Sequence, residues 1–318
     1  MIVVVTLNSL LEKKYYCNNF TLNKTHRVDN IVYSVGGKGI NISRQLNLLD
    51  IQNQSFLFIG GENGKIIRKK LIEEKINFVP TYTKAQTREA CVIIDEVKKN
   101  ISTVMESKYK IEANEIEEMK IKLEKAIQNC NILVLSGSLS SPNVFDIIKY
   151  GIEKAKENDK LTVLDSHGGH LRDAIELQPD ILHNNLDEIN SSLKLNLQSD
   201  EEILNFTDEL YNKGIKISVI TDGGKPTYVN HFGFKYKFYP PQIDEIHPTG
   251  SGDALVAGIL YGITNSHPFT ESLKFGMALG TLNAQRIEVC NITKSELENF
   301  NFENIKVETI GQKMNTIF

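Results

Sequence analysis

Short apolar runs alternate with stretches of helical spacing along most of the chain. Ile2–Thr6 predicts a buried strand, and Lys38–Leu49 predicts a helix carrying Ile40, Ile42, Leu46 and Leu49 on its apolar side. Phe56–Ile59 is strand-like and Ile66–Glu74 is helical. Ile132–Leu135 precedes a helix that opens near Pro142, a residue suited to a first helical turn. Leu161–Leu164 leads into another helix, and Ile217–Ile220 is a further buried strand. The last third holds two helical stretches, Asp253–Ile263 and Phe269–Gln285. Strands separated by helices imply right-handed crossovers. The expected fold class is therefore α/β, a doubly wound, mostly parallel sheet with helices on both faces.

Two regions break the alternation. Tyr15–Val35 and Ala90–Met105 read as short strands without helices between them. Cys91–Asp95 and Ile101–Met105 flank the polar turn Glu96–Asn100 and predict a hairpin. These pieces predict a small discontinuous β lid, from about 10–35 and 88–108, on a single domain covering 1–318. No flexible linker, low-complexity tract or internal repeat divides the chain.

Composition narrows the class of function. The chain has 318 residues, 41% hydrophobic and 24% charged, which are globular proportions. Lys and Arg total 36 against 40 Asp and Glu, a net charge of −4, and no long basic run occurs. Nucleic acid and anionic membrane are therefore unexpected partners. No apolar stretch approaches the ~18–20 residues that span a bilayer. The opening MIVVVTLNSL has no basic leader, so no signal peptide is expected. Cys17, Cys91, Cys130 and Cys290 are widely and irregularly spaced, which suggests neither a zinc site nor a disulfide framework and fits a reducing cytoplasm.

The strongest chemical signal is His247-Pro248-Thr249-Gly250-Ser251-Gly252-Asp253-Ala254, followed by a helical run. Glycines at a helix start expose N–H groups aimed at one point, and the helix dipole adds positive charge there. Such a site suits a phosphate, with Asp253 in the first turn as an ionised carboxylate able to accept a hydroxyl proton. The same residues also suit a plain helix N-terminus capped by Ser251 or Asp253. Gly36-Gly37-Lys38-Gly39-Ile40-Asn41 is the second signal. Lys38 can contact an anion as a point charge, and Asn41 can bond a hydroxyl; a tight turn with a solvated lysine is the alternative. Two glycine-rich anion sites suggest two phosphate-bearing ligands. The G-x-G-x-x-G fingerprint fails because Leu255 takes the third glycine position, and no G-x-x-x-x-G-K-[ST] loop occurs. His167 and His170 have H-x-x-H spacing but no nearby third ligand. Glu115, Glu117 and Glu118 interleave with Lys120, Lys122 and Lys125 as a solvated helix face.

The chain resembles the PfkB (ribokinase-like) carbohydrate kinases, in the branch of tagatose-6-phosphate kinases and 1-phosphofructokinases. The resemblance runs nearly end to end. Thr6-Leu7-Asn8 resembles the family's T-L-N-P-x-x-D, and Gly36–Arg44 resembles its first glycine signature. Thr87-Arg88 resembles the T-R of a lid strand, and Ser136-Gly137-Ser138-Leu139 resembles S-G-S-L-P. Asp165–Gly168 resembles D-x-S-G, Asn185–Glu188 resembles N-x-x-E, and Pro248–Asp253 resembles P-x-G-S-G-D. There are departures. Glu12 stands for the family's Asp, Ser9 for its Pro, and His183-Asn184 for Lys-Pro. Asp222 places a carboxylate in the loop Thr221–Pro226 that resembles the nucleotide loop.

The resemblance implies a ribokinase-like fold and ATP-dependent phosphorylation of a ketohexose monophosphate to the bisphosphate. Asp253 is then the catalytic base, and the amides of Gly250, Ser251 and Gly252 form the anion hole. Lys38 and Arg88, with Arg27 beside them, hold the substrate's existing phosphate. Glu12, Gly37, Asn41 and Ser138 contact the sugar. Asn185 and Glu188 organise Mg²⁺, chiefly through water. Thr221, Gly223 and Pro226 serve ATP, and Asn283 lines the adenine side. Tagatose 6-phosphate is the favoured substrate because Gly250-Ser251-Gly252 and Leu282-Asn283-Ala284-Gln285 look most like that subgroup, with fructose 1-phosphate close behind. A homodimer through the lid strands is implied as well. The alternatives are a sugar-phosphate-binding protein without catalysis and an oxidoreductase, the latter disfavoured by the failed fingerprint.

Overall fold

The computed structural model describes residues 1–29, 31–106 and 109–312. In chain order the strands are β1 (Ile2–Thr6), β2 (Leu10–Cys17), β3 (Ile31–Gly36), β4 (Asn53–Gly60), β5 (Phe78–Thr83), β6 (Glu89–Asp95), β7 (Asn100–Met105), β8 (Ile132–Ser136), β9 (Leu161–Asp165), β10 (Ile181–Asn185), β11 (Ile217–Thr221), β12 (Thr227–His231), β13 (Phe234–Tyr239) and β14 (Lys306–Gln312). The helices are α1 (Lys38–Leu48), α2 (Gly61–Glu73), α3 (Ala113–Gln128), α4 (Phe145–Glu157), α5 (Leu171–Glu176), α6 (Leu186–Leu193), α7 (Asp200–Asn212), α8 (Ser251–Thr264), α9 (Phe269–Ala284) and α10 (Lys294–Glu298).

The large sheet runs β14-β13-β12-β11-β10-β9-β8-β1-β4-β5. From β11 to β5 every pairing is parallel. β1 lies inside it, with Val4 paired to Ser55 on one side and Val134 on the other. Its period of two divides the interior. Val3, Val5 and Leu7 pack with Met119, Leu123 and Ile148 of α3 and α4, whereas Ile2 and Val4 pack with Leu46 and Ala257 of α1 and α8. A strand apolar from Ile2 to Val5, and buried to its closing Thr6, is thus covered on both faces, as a parallel sheet between two helix layers requires.

Beyond β11 the sheet departs from the expected alternation. β12, β13 and β14 extend it in antiparallel fashion. The turn joining β12 to β13 puts both Phe232 and Gly233 at positive φ (51° and 85°), the geometry of a tight hairpin. Tyr228–Tyr239 mixes Asn, His and Lys with aromatics, so it carries no apolar run for a sequence reading to catch. α2 also starts earlier than the expected Ile66, because its first turn, Gly61-Glu62-Asn63-Gly64, has no apolar periodicity. On α3, Glu117 and Glu118 do pair with Lys120 and Lys122 at the surface. Glu115 does not belong to that face. It is 3% exposed and accepts the backbone N–H groups of Lys84 and Glu112, both at 2.7 Å.

The small sheet has the order β3-β2-β6-β7, with β2–β6 parallel and the other pairs antiparallel. The hairpin of β6 and β7 forms as expected. Asp95 at its turn accepts backbone N–H groups from Val97 and Lys98 and from Asn19 and Phe20 of the loop after β2. One buried carboxylate therefore organises both loops at that end. The other end of the sheet delivers Gly36 and Gly37 to the start of α1, beside the C-terminal ends of the parallel strands.

Candidate active site

Ligands of open α/β sheets bind beyond the carboxyl ends of the strands. There a cavity of about 570 Å³ opens, within the range of small-molecule sites. The ends of β1, β8, β10 and β11 bring Asn8, Ser138, Asn185 and Thr221 to its wall. The N-termini of α1 and α8 bring Lys38, Asn41, Gly250, Ser251, Gly252 and Asp253. The small sheet adds Glu12 and Arg88. The two glycine-rich segments therefore face one chamber.

At the mouth of α8, Gly250 is the N-cap at φ +82°, and no side chain caps the helix. A Cβ there would lie 2.2 Å from Val289 Cγ1, so backbone angle and space both demand glycine. Ser251 Oγ accepts from Asn283 Nδ2 at 3.1 Å, and so does not cap. The plain-cap reading falls, but Ser251 N–H donates to Pro248 O at 3.1 Å, so of the three amides expected to form the anion hole only those of Gly250 and Gly252 stay open toward the cavity. Asp253 is 4% exposed and accepts a 2.7 Å hydrogen bond from Asn41 Nδ2. Burial and the nearby Asp165 carboxylate push its pKa up to about 8, against the pull of Lys38. This corrects the expectation of a carboxylate already ionised by the helix dipole: loss of solvent outweighs the dipole here.

Lys38 also differs from expectation. Its Nζ lies 2.9 Å from Asp165 Oδ1 and 2.8 Å from Glu188 Oε1. Two carboxylates already balance its charge, so it is not a vacant anchor for a substrate phosphate. Burial would raise the pKa of Asp165, but Lys38 and His183 hold it well below the usual carboxylate range. Asp165 is fully buried and also accepts from Ser136 Oγ at 2.9 Å.

Arg88 is the contrasting cation. It pairs with no carboxylate among the described residues; its Nη1 lies 3.0 Å from Met105 Sδ and its buried Nε has no partner. Burial lowers its pKa, which is the cost of a guanidinium held without a counter-charge. Glu12 reaches back along Gly36 and accepts from Ser34 Oγ at 2.7 Å. Arg27 sits exposed in the loop between β2 and β3 and does not line the cavity.

Asn185 and Glu188 form a reciprocal capping box at the start of α6. Asn185 Oδ1 accepts from Glu188 N at 2.7 Å, and Glu188 Oε2 accepts from Asn185 N at 3.1 Å. Burial would raise the pKa of Glu188, but His167 and Lys38 hold it at about 2. It is thus ionised at the cavity wall, with both oxygens already engaged. That donor set fits Mg²⁺ held through water, which this ion tolerates well. His170 turns instead to Ser166, 2.7 Å away, so the two histidines of the H-x-x-H pair part.

The cavity wall also has an apolar part, Pro240, Ile243, Leu255 and Met277, and includes Thr221 and Gly223. Pro226 does not line it, and Asp222 pairs with Lys225 at 3.1 Å. Asn283 is a further correction. It is 1% exposed; its Nδ2 donates to Thr249 O and Ser251 Oγ, and its Oδ1 accepts from Cys290 N. It braces the α8 loop from behind.

The pfkB family carbohydrate kinase model matches residues 5–296. The chain belongs to the PfkB family of carbohydrate kinases. It is 29% identical over 310 residues to a tagatose-6-phosphate kinase of Staphylococcus epidermidis, covering 96% of this chain and 99% of that protein. Among solved structures it is similar to a Thermotoga maritima protein described as a possible 1-phosphofructokinase (TM-score 0.87, 22% identity, 97% and 99% covered). It is also similar to phosphofructokinase-2 of Escherichia coli (TM-score 0.85, 19% identity, 93% and 96% covered). PfkB kinases are phosphotransferases that use ATP, and a sugar phosphate and ATP are the substrates the family implies. No helix among the described residues is long and apolar enough to cross a membrane.

Sequence reasoning gave no role to Asp165, His167, His183 or Asn8, all of which lie in or directly behind the wall. Asp165 carried a usable signal, a carboxylate closing an otherwise apolar strand. Asn8 carried only its place just past the end of β1.

Proposed function

We propose that this PfkB kinase transfers the γ-phosphoryl group of ATP to a free hydroxyl of a ketohexose monophosphate, with tagatose 6-phosphate as the substrate. One observation carries the reading: Asp253, at the uncapped mouth of α8, shares the cavity with the carboxylate-free cation Arg88. The first arrangement suits a migrating phosphoryl group, the second a phosphate already on the sugar. The sugar then lies between them, near Glu12, Asn41 and Ser138.

Asp253 in its ionised form takes the acceptor proton, oriented by Asn41. The amides of Gly250 and Gly252 meet charge that develops on the migrating group, while that of Ser251 is held by Pro248 O. The apolar part of the wall, with Pro240 and Met277, suits the adenine ring. Mg²⁺, bound through water near Glu188 and Asn185, would screen the ATP phosphates. The assignment of tagatose 6-phosphate is supported by 29% identity across nearly the full length of a tagatose-6-phosphate kinase. Fructose 1-phosphate is the second reading, favoured by the likeness to the Thermotoga maritima structure. Exposed Ile31, Val32 and Val104 on the small sheet suit pairing with a second copy, and the four free thiols suit the cytoplasm.

The test is steady-state kcat/KM with MgATP on tagatose 6-phosphate, fructose 1-phosphate and fructose 6-phosphate. Tagatose 6-phosphate is expected to give the highest value. A higher value for fructose 1-phosphate selects the second reading, and no bisphosphate from any of them overturns both.

A further inference from the structure

We infer that Asn8 reads one hydroxyl of the sugar, acting as a pair with Ser138; this deepens the kinase reading above and rests on it. Asn8 lies just past the C-terminal end of β1. The ladder continues beyond that end, since Leu7 N donates to Ser136 O at 3.0 Å, so the position is rigid. Asn8 is 4% exposed and lies on the cavity wall with Gly37, Gly137 and Ser138. Its backbone oxygen would stand 3.3 Å from a Cβ on Gly37, so the end of β1 and the mouth of α1 meet closely.

The side-chain bonding is one-sided. Asn8 Nδ2 donates to Ser138 Oγ at 3.1 Å, while the buried Oδ1 has no partner among the described residues. Native proteins rarely leave a buried amide oxygen unpaired, because its lost hydration is not recovered. Ser138 Oγ, already accepting from Asn8, still has its own proton to give. The pair therefore offers one acceptor and one donor. A hydroxyl group matches both. A phosphate dianion, which only accepts, would set acceptor against acceptor at the Asn8 oxygen, and belongs at Arg88 instead.

The test crosses Asn8→Ala with a series of mono-deoxy analogues of the preferred ketohexose phosphate. With the parent sugar, Asn8→Ala is expected to lower kcat/KM 10- to 100-fold, mainly through KM, with the KM for ATP unchanged. With the one analogue lacking the hydroxyl that is read, wild type and variant are expected to be equally slow. Asn8→Ser, which keeps a hydroxyl toward Ser138, replaces the alanine variant if that does not fold, and its expected pattern is the same but shallower. An equal loss on every analogue means a merely structural residue and overturns the inference, as does an unchanged kcat/KM on the parent. If the wild type phosphorylates no ketohexose phosphate, the kinase reading itself falls and takes this inference with it. If the wild type is active and no analogue couples to Asn8, only the inference falls.

Discussion

Asn41 Nδ2 and Asp253 Oδ2 lie 2.7 Å apart although 212 positions separate them in the chain. The contact joins the N-terminus of α1 to that of α8, and so fixes the carboxylate against the other glycine-rich segment. Asp253→Asn is expected to lower kcat by three decades or more while leaving sugar-phosphate KM within a few-fold. Steady-state kinetics checks this, and near-normal turnover would remove Asp253 as the base.

The raised pKa of Asp253 gives a pH dependence with a definite sign. The active form is the ionised one, so kcat/KM is expected to climb through about pH 8 and then level off. Stability moves the other way. Between the ordinary value of 3.8 and about 8, the folded state holds a proton that the unfolded state has lost, so stability falls as pH rises through that window. Asp253→Asn is expected to be progressively more stable than wild type from pH 5 to pH 9. A variant of constant relative Tm across that range would contradict the assignment.

The two cations are expected to answer differently to mutation. Arg88→Ala should raise sugar-phosphate KM by roughly 10- to 150-fold, the equivalent of about 1.5–3 kcal/mol for a hydrogen bond to a charged group. The KM for ATP should hardly move.

Lys38→Met should act chiefly on stability, because it removes the cation shared by Asp165 and Glu188 and leaves each carboxylate only its histidine, His183 or His167. Breaking one side of a buried ion pair costs about 3–5 kcal/mol, measurable by urea unfolding. Unchanged stability with a raised sugar-phosphate KM would return Lys38 to the role of phosphate anchor.

Gly250→Ala tests the helix mouth. The substitution must adopt a positive φ and overlap Val289 Cγ1. Left-handed strain of about 1–2 kcal/mol, with overpacking of about 1–3 kcal/mol, is expected to lower Tm and to abolish turnover. Full activity would mean that the backbone here does not need its observed shape.

What the sequence made legible was local. β1 is apolar from Ile2 to Val5 and could be placed in a buried parallel sheet. Gly37 and Gly250 announced two helix mouths with polar residues just inside them. The pairing of Lys38 with Asp165, 127 positions away, depends on the whole sheet bringing strand ends together. No local spacing encodes it. The upward shift of the Asp253 pKa was missed for the same reason: the helix dipole is readable in sequence, while burial and a facing carboxylate are tertiary. Asn283 looked like a ligand contact because of the company it keeps in the chain, yet its amide is spent on Thr249, Ser251 and Cys290. β12, β13 and β14 escaped because this antiparallel end of the sheet mixes polar residues with aromatic or aliphatic ones and carries no apolar run.

The most direct measurement follows phosphorus. Wild type and Asp253→Asn would each be incubated with MgATP and tagatose 6-phosphate, and the products read by ³¹P NMR. The expected result is a second sugar-phosphate ester from the wild type in step with ADP, and none above background from the variant. Ester formation by the variant at the wild-type rate, or ADP without a new ester from the wild type, would contradict phosphoryl transfer at the mouth of α8.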